Sequence, residues 1–369
     1  MDMLFFAKVL IGGLLSGVMY SLVALGFVLI YKASGVFNFA QGSMVLFAAM
    51  TFAGLIEVLG SHHPGDPKFW LAIAITAAVM VLLALATERF VLRRLVNQPL
   101  IILLLATLGI ASIIEGGAQA VWGATVRKIN IGIAERPIDL LSIFDFAAAK
   151  PSQTVAPAAT MPGQSTPAEV AAPTQPPVAS STDGGADVNA TEEFKIESVD
   201  MPPLPPRSGL IVSQFDLIAA AIAGALVFFL ATFFNRTRTG RALRAVADDN
   251  QAALSVGISL QFVWSFVWAT SGIVALVAGL LWGARIGGQF LLTFVALKAL
   301  PVLIIGGFTS IPGAIVGGLI VGAVEKLAEV YFGAIIGGGI ESWISYVLAT
   351  VFLLFRPQGL FGEKFIARV

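Results

Sequence analysis

A chain of 369 residues whose 22 basic and 22 acidic side chains cancel has no electrostatic claim on nucleic acid. It is 57% hydrophobic and 12% charged, with a mean hydropathy of +0.89, where a soluble domain carries about 25% charged residues; this is an integral membrane protein. Zero cysteines exclude disulfides, thiolate-bound zinc and thiol catalysis, and a single adjacent pair of histidines, His62 and His63, nearly excludes His-built metal sites and His-based acid–base chemistry.

A bilayer crossing takes roughly 20 predominantly apolar residues. Runs near 8–30, 38–58, 69–87, 99–121, 210–233, 262–283, 290–307, 312–331 and 342–355 meet or approach that length. They predict an all-α fold, a polytopic helical bundle of about eight to ten transmembrane helices. The first run follows a lone Lys8 with no small-residue cleavage pattern, so it reads as a span and not as a signal peptide. Residues 1–124 hold the first four spans, 125–209 an external insert, and 210–369 the remaining five with a polar loop at 235–261.

The stretch "NFAQGS" at 38–43 places uncharged polar groups between two greasy runs. Ser34, Asn38 and Gln41 follow one another at i, i+4 and i+7, so a helix would show all three on one face. Such a stripe cannot face lipid, where each unsatisfied group costs several kcal/mol. Two readings stand open: interhelical hydrogen bonds, and the lining of a polar path.

Further along, Glu115, Lys298 and Glu325 fall inside apolar runs. Each lies roughly 9–12 Å from the external end of its span at a rise of about 1.5 Å per residue. Unpaired charges there are costly, so Lys298 is expected to pair with Glu325, with Glu115 the second candidate; ions at such depth commonly mark a transport path. Pro301, one turn beyond Lys298, predicts a kink.

The insert holds 11 of the chain's 18 prolines between 151 and 206, among Ala, Thr, Ser and Gln. Residues 148–207 cannot bury enough apolar surface to offset their ordering entropy and are expected to be largely disordered. They are either a tolerated loop extension or a docking arm for an external partner.

The loop "NRTRTGRALRAVADDNQAALSVGIS" predicts a short helix over Arg241–Leu254. Leu243, Val246, Ala247, Ala253 and Leu254 supply an apolar side, and Arg241, Arg244 and Asp248 the other. Its arginines alone would suit a topogenic loop; its amphipathic pattern suits a helix that docks on a cytosolic partner. Counting Lys and Arg in short loops gives 11 on one side (Lys32, Arg89, Arg93, Arg94, Arg236, Arg238, Arg241, Arg244, Arg356, Lys364, Arg368) and two on the other (Lys68, Arg285). The first side is cytoplasmic, leaving the N-terminus outside. Gly13–Gly17, Gly313–Gly317 and Gly318–Gly322 repeat the GxxxG spacing that lets helix backbones approach closely.

No GxxxxGK[ST] or HExxH pattern occurs, so any ATP that drives this chain is hydrolysed by another, and no catalytic residue, metal ligand or cofactor is expected within it. "GLLSGVMYSLVALGFVLIYKASGVFNFAQGSM", "GRALRAVADDNQAALSVGI", "ALKALPVLIIGGFTSIPGAIVGGLIVGAVE" and "RPQGLFG" together resemble the permease subunits of branched-chain amino-acid ABC importers, over nearly all of 8–125 and 210–363. The family's external connection is usually much shorter than 125–209. The resemblance implies a bacterial inner-membrane importer: a second homologous permease, two cytosolic ATP-binding-cassette ATPases that bind the ATP, and a periplasmic substrate-binding protein, all set in membrane lipid. It implies that Asn38 and Gln41 belong to the translocation region, to which Ser34 is assigned by its place on the same expected stripe, and Glu115, Lys298 and Glu325 as intramembrane ions. It also implies that Gly240, Arg241, Arg244, Asp248 and Asp249 belong to the ATPase contact. Leucine, isoleucine and valine are the cargo so implied. Urea, amides, a sugar or aromatic acids are alternatives within the superfamily. An ion-coupled secondary transporter running on the three buried charges, and a scaffold presenting the Pro-rich arm, are alternatives of other classes.

Overall fold

The computed structural model describes residues 3–61, 63–95, 98–133, 136–139 and 211–362. The Pro-rich stretch expected to be disordered lies outside them. All nine apolar runs form helices: α1 Met3–Ser34, α2 Gln41–Leu59, α3 Pro67–Phe90, α4 Leu100–Trp122, α5 Gln214–Arg236, α8 Leu260–Ile286, α9 Leu292–Gly306, α10 Ile311–Ile336 and α11 Ile344–Phe355. Two short helices, α6 Arg238–Asp248 and α7 Asn250–Ser255, fill the polar loop between α5 and α8. Among the described residues six helices are long and apolar enough to cross a bilayer, and α9 with α10, bent by 114°, offers a seventh, broken crossing.

α1 is apolar all round and is correspondingly interior, packed against α5, α8, α9 and α10. Its glycines set how close α10 can come. A Cβ on Gly13 would lie 2.6 Å from the Gly322 carbonyl oxygen, and one on Gly17 2.5 Å from that of Gly318. The GxxxG faces of the first and eighth apolar runs therefore meet each other, backbone to backbone.

Two breaks shape the core. α1 stops where Gly35 takes φ +68°, and residues 35–40 run non-helically until α2 starts at Gln41. Gln41 packs on Gly26, some two turns inside the end of α1, so this connection folds back into the bundle. The second break is Gly307 at φ +103°, between α9 and α10. Here the "RPQGLFG" tail acts as a strap. The amides of Leu360 and Phe361 donate to the Ile305 and Gly306 carbonyls at 2.8 and 3.1 Å, satisfying acceptors left open where α9 ends. Ser310 then caps α10 by accepting from the Gly313 amide at 3.0 Å, with Pro312 in its first turn.

The insert begins later than its composition implies. Arg127 bridges Gly288 in antiparallel fashion, ion-pairs with Glu57 and donates to the Trp122 carbonyl at 2.8 Å. Beyond it, β1 (Pro137–Asp139) pairs antiparallel with β2 (Ile211–Ser213) and ties the two ends of the insert together.

Candidate functional site

The expected stripe of Ser34, Asn38 and Gln41 does not form, because the break at Gly35 separates its members. Ser34 is the last residue of α1; its hydroxyl donates to the Ile30 carbonyl at 2.8 Å and borders a cavity of 730 Å3 shared with Arg93, Gln98, Gln251 and Trp264. Asn38 is fully buried in the connection, and its Oδ1 accepts from the Ala40 amide at 3.1 Å, a local turn that steers the chain into α2. Gln41, also fully buried, opens α2, and its Oε1 accepts from the Ser271 hydroxyl on α8 at 2.8 Å. Asn38 Nδ2 and Gln41 Nε2 have no hydrogen-bond partner among the described residues. These two amides brace the fold-back segment from within. Irregular backbone at this depth is tolerated only inside protein or beside a cavity.

That cavity lies on the other side of the same segment. Phe37 and Phe39, which flank Asn38, line a space of 250 Å3 together with Phe27, Phe294, Leu297 and Glu115. Glu115, on α4, accepts from the Ser43 hydroxyl at 2.7 Å. Thr107, two turns earlier on α4, donates to the Phe37 carbonyl at 3.3 Å and pins the connection against that helix. The site is thus an aromatic chamber with one carboxylate.

Lys298 and Glu325 meet as expected, Nζ to Oε2 at 3.5 Å, while Glu115 stays apart from them. Glu325 is 1% exposed and Lys298 26%, so the cation is the member that reaches open space. Lys298 also donates to the Glu341 carbonyl at 3.2 Å and to the Tyr20 hydroxyl at 3.4 Å. Glu341 belongs to the turn between α10 and α11. Its carboxylate takes Lys326 at 2.7 Å, and its amide, like that of Gly339, donates to Glu329 at 2.9 Å.

In the loop between α5 and α8 the predicted single helix over Arg241–Leu254 is two. Asp249 ends α6 and caps α7, its Oδ1 accepting from the Gln251 and Ala252 amides at 2.8 and 3.0 Å. Leu243, Val246 and Ala253 are buried as expected, but Ala247, still within α6, and Leu254, after the break, are exposed. Arg241, Arg244 and Asp248 stand in the open, and Gly240 presses on the Phe234 carbonyl at the corner between α5 and α6.

Over residues 9–356 the sequence matches the family model described as branched-chain amino acid transport system / permease component. The chain belongs to that permease family. Curated relatives span it almost end to end. The high-affinity branched-chain amino acid transport system permease protein LivH of Salmonella typhimurium is 24% identical, over 99% of this chain and 98% of that one. BraD of Pseudomonas aeruginosa, of the same description, is 23% identical over 98% and 97%. The autoinducer 2 import system permease protein LsrC of Shigella flexneri is 26% identical over 38% of this chain and 36% of its own. The permease is therefore a multi-pass plasma-membrane transport protein of the ABC importer type, a class that works with ATPase and substrate-binding partners.

Several residues around these sites escaped the sequence reading. Ser43, Gly26, Thr107 and Ser271 are small residues in apolar runs, and only the partner they meet, up to 245 positions away in sequence, makes them visible. Glu88, 1% exposed at the C-terminal end of α3 and held by Arg93 at 3.1 Å and the Ser265 hydroxyl at 3.1 Å, could have been found as a carboxylate beside a cluster of arginines.

Proposed function

We propose that the permease translocates leucine, isoleucine and valine across a bacterial inner membrane as one subunit of an ATP-driven importer. A second homologous permease would complete the path, two cytosolic ATP-binding-cassette ATPases would bind and hydrolyse the ATP, and an external binding protein would deliver the substrate. The chamber between α1, α4 and α9 carries the reading: its phenylalanine and leucine wall suits a branched aliphatic side chain, and Glu115 offers an acceptor to an ammonium group. Near full-length similarity to relatives described as branched-chain amino acid permeases supports the choice of cargo.

Extraction from native membrane in mild detergent is the first test. A companion carrying GxxxxGK[ST] and a second permease are the expected finds; recovery of the chain alone, with uptake abolished by an uncoupler, would replace this reading with a proton-coupled one. Within the chamber, Glu115→Gln keeps the shape and removes the charge. Losing one charge-assisted hydrogen bond, worth about 1.5–3 kcal/mol, is expected to reduce leucine uptake by tenfold or more in vesicles containing normal amounts of permease. At the other end, buried Leu243 and Val246 anchor α6 while its arginines face outward, the arrangement of a helix that presses on a cytosolic ATPase. Arg241→Glu is expected to lower uptake by about tenfold or more through like-charge repulsion in that contact, with the permease still inserted and folded. Undiminished uptake would return α6 to a topogenic role.

A further inference from the structure

The cluster around Lys298 borders a third cavity, of 270 Å3, beside the C-terminal end of α8. Arg285 from α8 and Lys298 from α9 both line it. Each cation lies 5.7 Å from the centre of an aromatic ring, Arg285 over Trp282 and Lys298 over Tyr20, and the two rings stack at 5.2 Å. A stacked aromatic pair thus fixes the spacing of two positive charges.

Among the described residues neither cation is tightly satisfied. The polar contacts of Lys298 fall between 3.2 and 3.5 Å, and Arg285 reaches Asp216 and Ser16 at 3.4 Å. A charge-assisted N–H···O bond closes to about 2.7–2.9 Å. Between them Trp282, only 7% exposed, holds an Nε1 donor with no partner among the described residues. Buried donors are nearly always paired, so an orphan beside two loosely held cations marks the place of an acceptor. Glu341, whose carbonyl oxygen accepts from Lys298 while its carboxylate is held by Lys326, joins the same lining, and Phe294 and Val295 supply an apolar wall.

The geometry points to a binding site for a free α-amino acid zwitterion with an apolar side chain. Its carboxylate would lie between Arg285 and Lys298 and accept from Trp282 Nε1. The ammonium would face Glu341, and the side chain would rest on Phe294 and Val295. Phe294 lines this cavity and the Glu115 chamber alike, so the two spaces adjoin at that ring. The inference rests on the amino-acid import reading, and deepens it by naming where the substrate is first held.

The test measures binding of leucine and of leucinamide, which lacks the carboxylate, to the full chain in lipid nanodiscs. Trp282→Phe removes the indole donor and keeps a ring on Tyr20. Leucine affinity is expected to fall about tenfold and leucinamide affinity to stay the same. Arg285→Lys, which keeps the charge and loses the fork, is expected to show the same selectivity and serves should the first variant fold poorly. Equal loss of both ligands, no loss of either, or no leucine binding by the unaltered chain would each overturn the site. Failed import with the expected nanodisc binding would count against the import reading and leave the site standing.

Discussion

Gly17→Leu is expected to leave almost no folded permease in the membrane, while Gly12→Leu, on the same helix, is tolerated. At Gly17 even a methyl group would lie 2.5 Å from the Gly318 oxygen and 3.0 Å from the Leu319 Cα, and both are backbone atoms that cannot rotate aside. The seam repeats one turn away at Gly13 and Gly322, so α1 and α10 would have to separate along their whole contact. Overpacking of ordinary cores costs about 1–3 kcal/mol, and this contact offers less relief than most. Because α1 is the interior helix, its displacement would also disturb α8, α9 and the Gln41 brace. A Cβ on Gly12 meets nothing within 4 Å, and its substitution should stay within about 0.5 kcal/mol. Size-exclusion profiles and thermal unfolding in detergent compare the two; matching melting curves would mean that α1 and α10 are not packed as described.

That seam was half legible in the sequence: GxxxG spacing marks faces where helices approach closely, but which faces meet came only with the fold, Gly13 and Gly17 finding Gly318 and Gly322 while Gly313 and Gly317 press on Gly306 and Val302 of α9. The pairing of Lys298 with Glu325 was legible, because depth and charge leave few partners. The connection at 35–40 was not. Ser34, Asn38 and Gln41 fit the helical period, and a single glycine inside an apolar pattern is a weak announcement of a break, so periodicity gave a stripe where the chain turns back. The break at Asp249 had a signal. Asp249 just before Asn250–Ser255 is an N-cap residue ahead of a short helix, outweighed by an amphipathic pattern that runs across it. The chamber itself could not be read at all. Glu115 meets Ser43, and Phe294 meets Phe37, only through the tertiary path of the chain.

Lys298→Met is expected to destabilise the permease by about 3–5 kcal/mol, because it strands Glu325, 1% exposed, without the cation that now lies 3.5 Å away. Adding Glu325→Gln removes the stranded charge, and the double variant is expected to recover most of that loss, since a buried pair replaced as a whole is often neutral. Uptake should behave differently. If Lys298 served only to neutralise Glu325, the double variant would transport as well as it folds. If Lys298 holds the carboxylate of an incoming amino acid, stability returns and leucine uptake does not, because the cavity keeps Arg285 and Trp282 but has lost one of its two charges. Thermal unfolding of the single and double variants, read beside leucine uptake in the same membranes, separates the two roles. Recovery of both would reduce the cluster to a structural ion pair and remove the outer site with it.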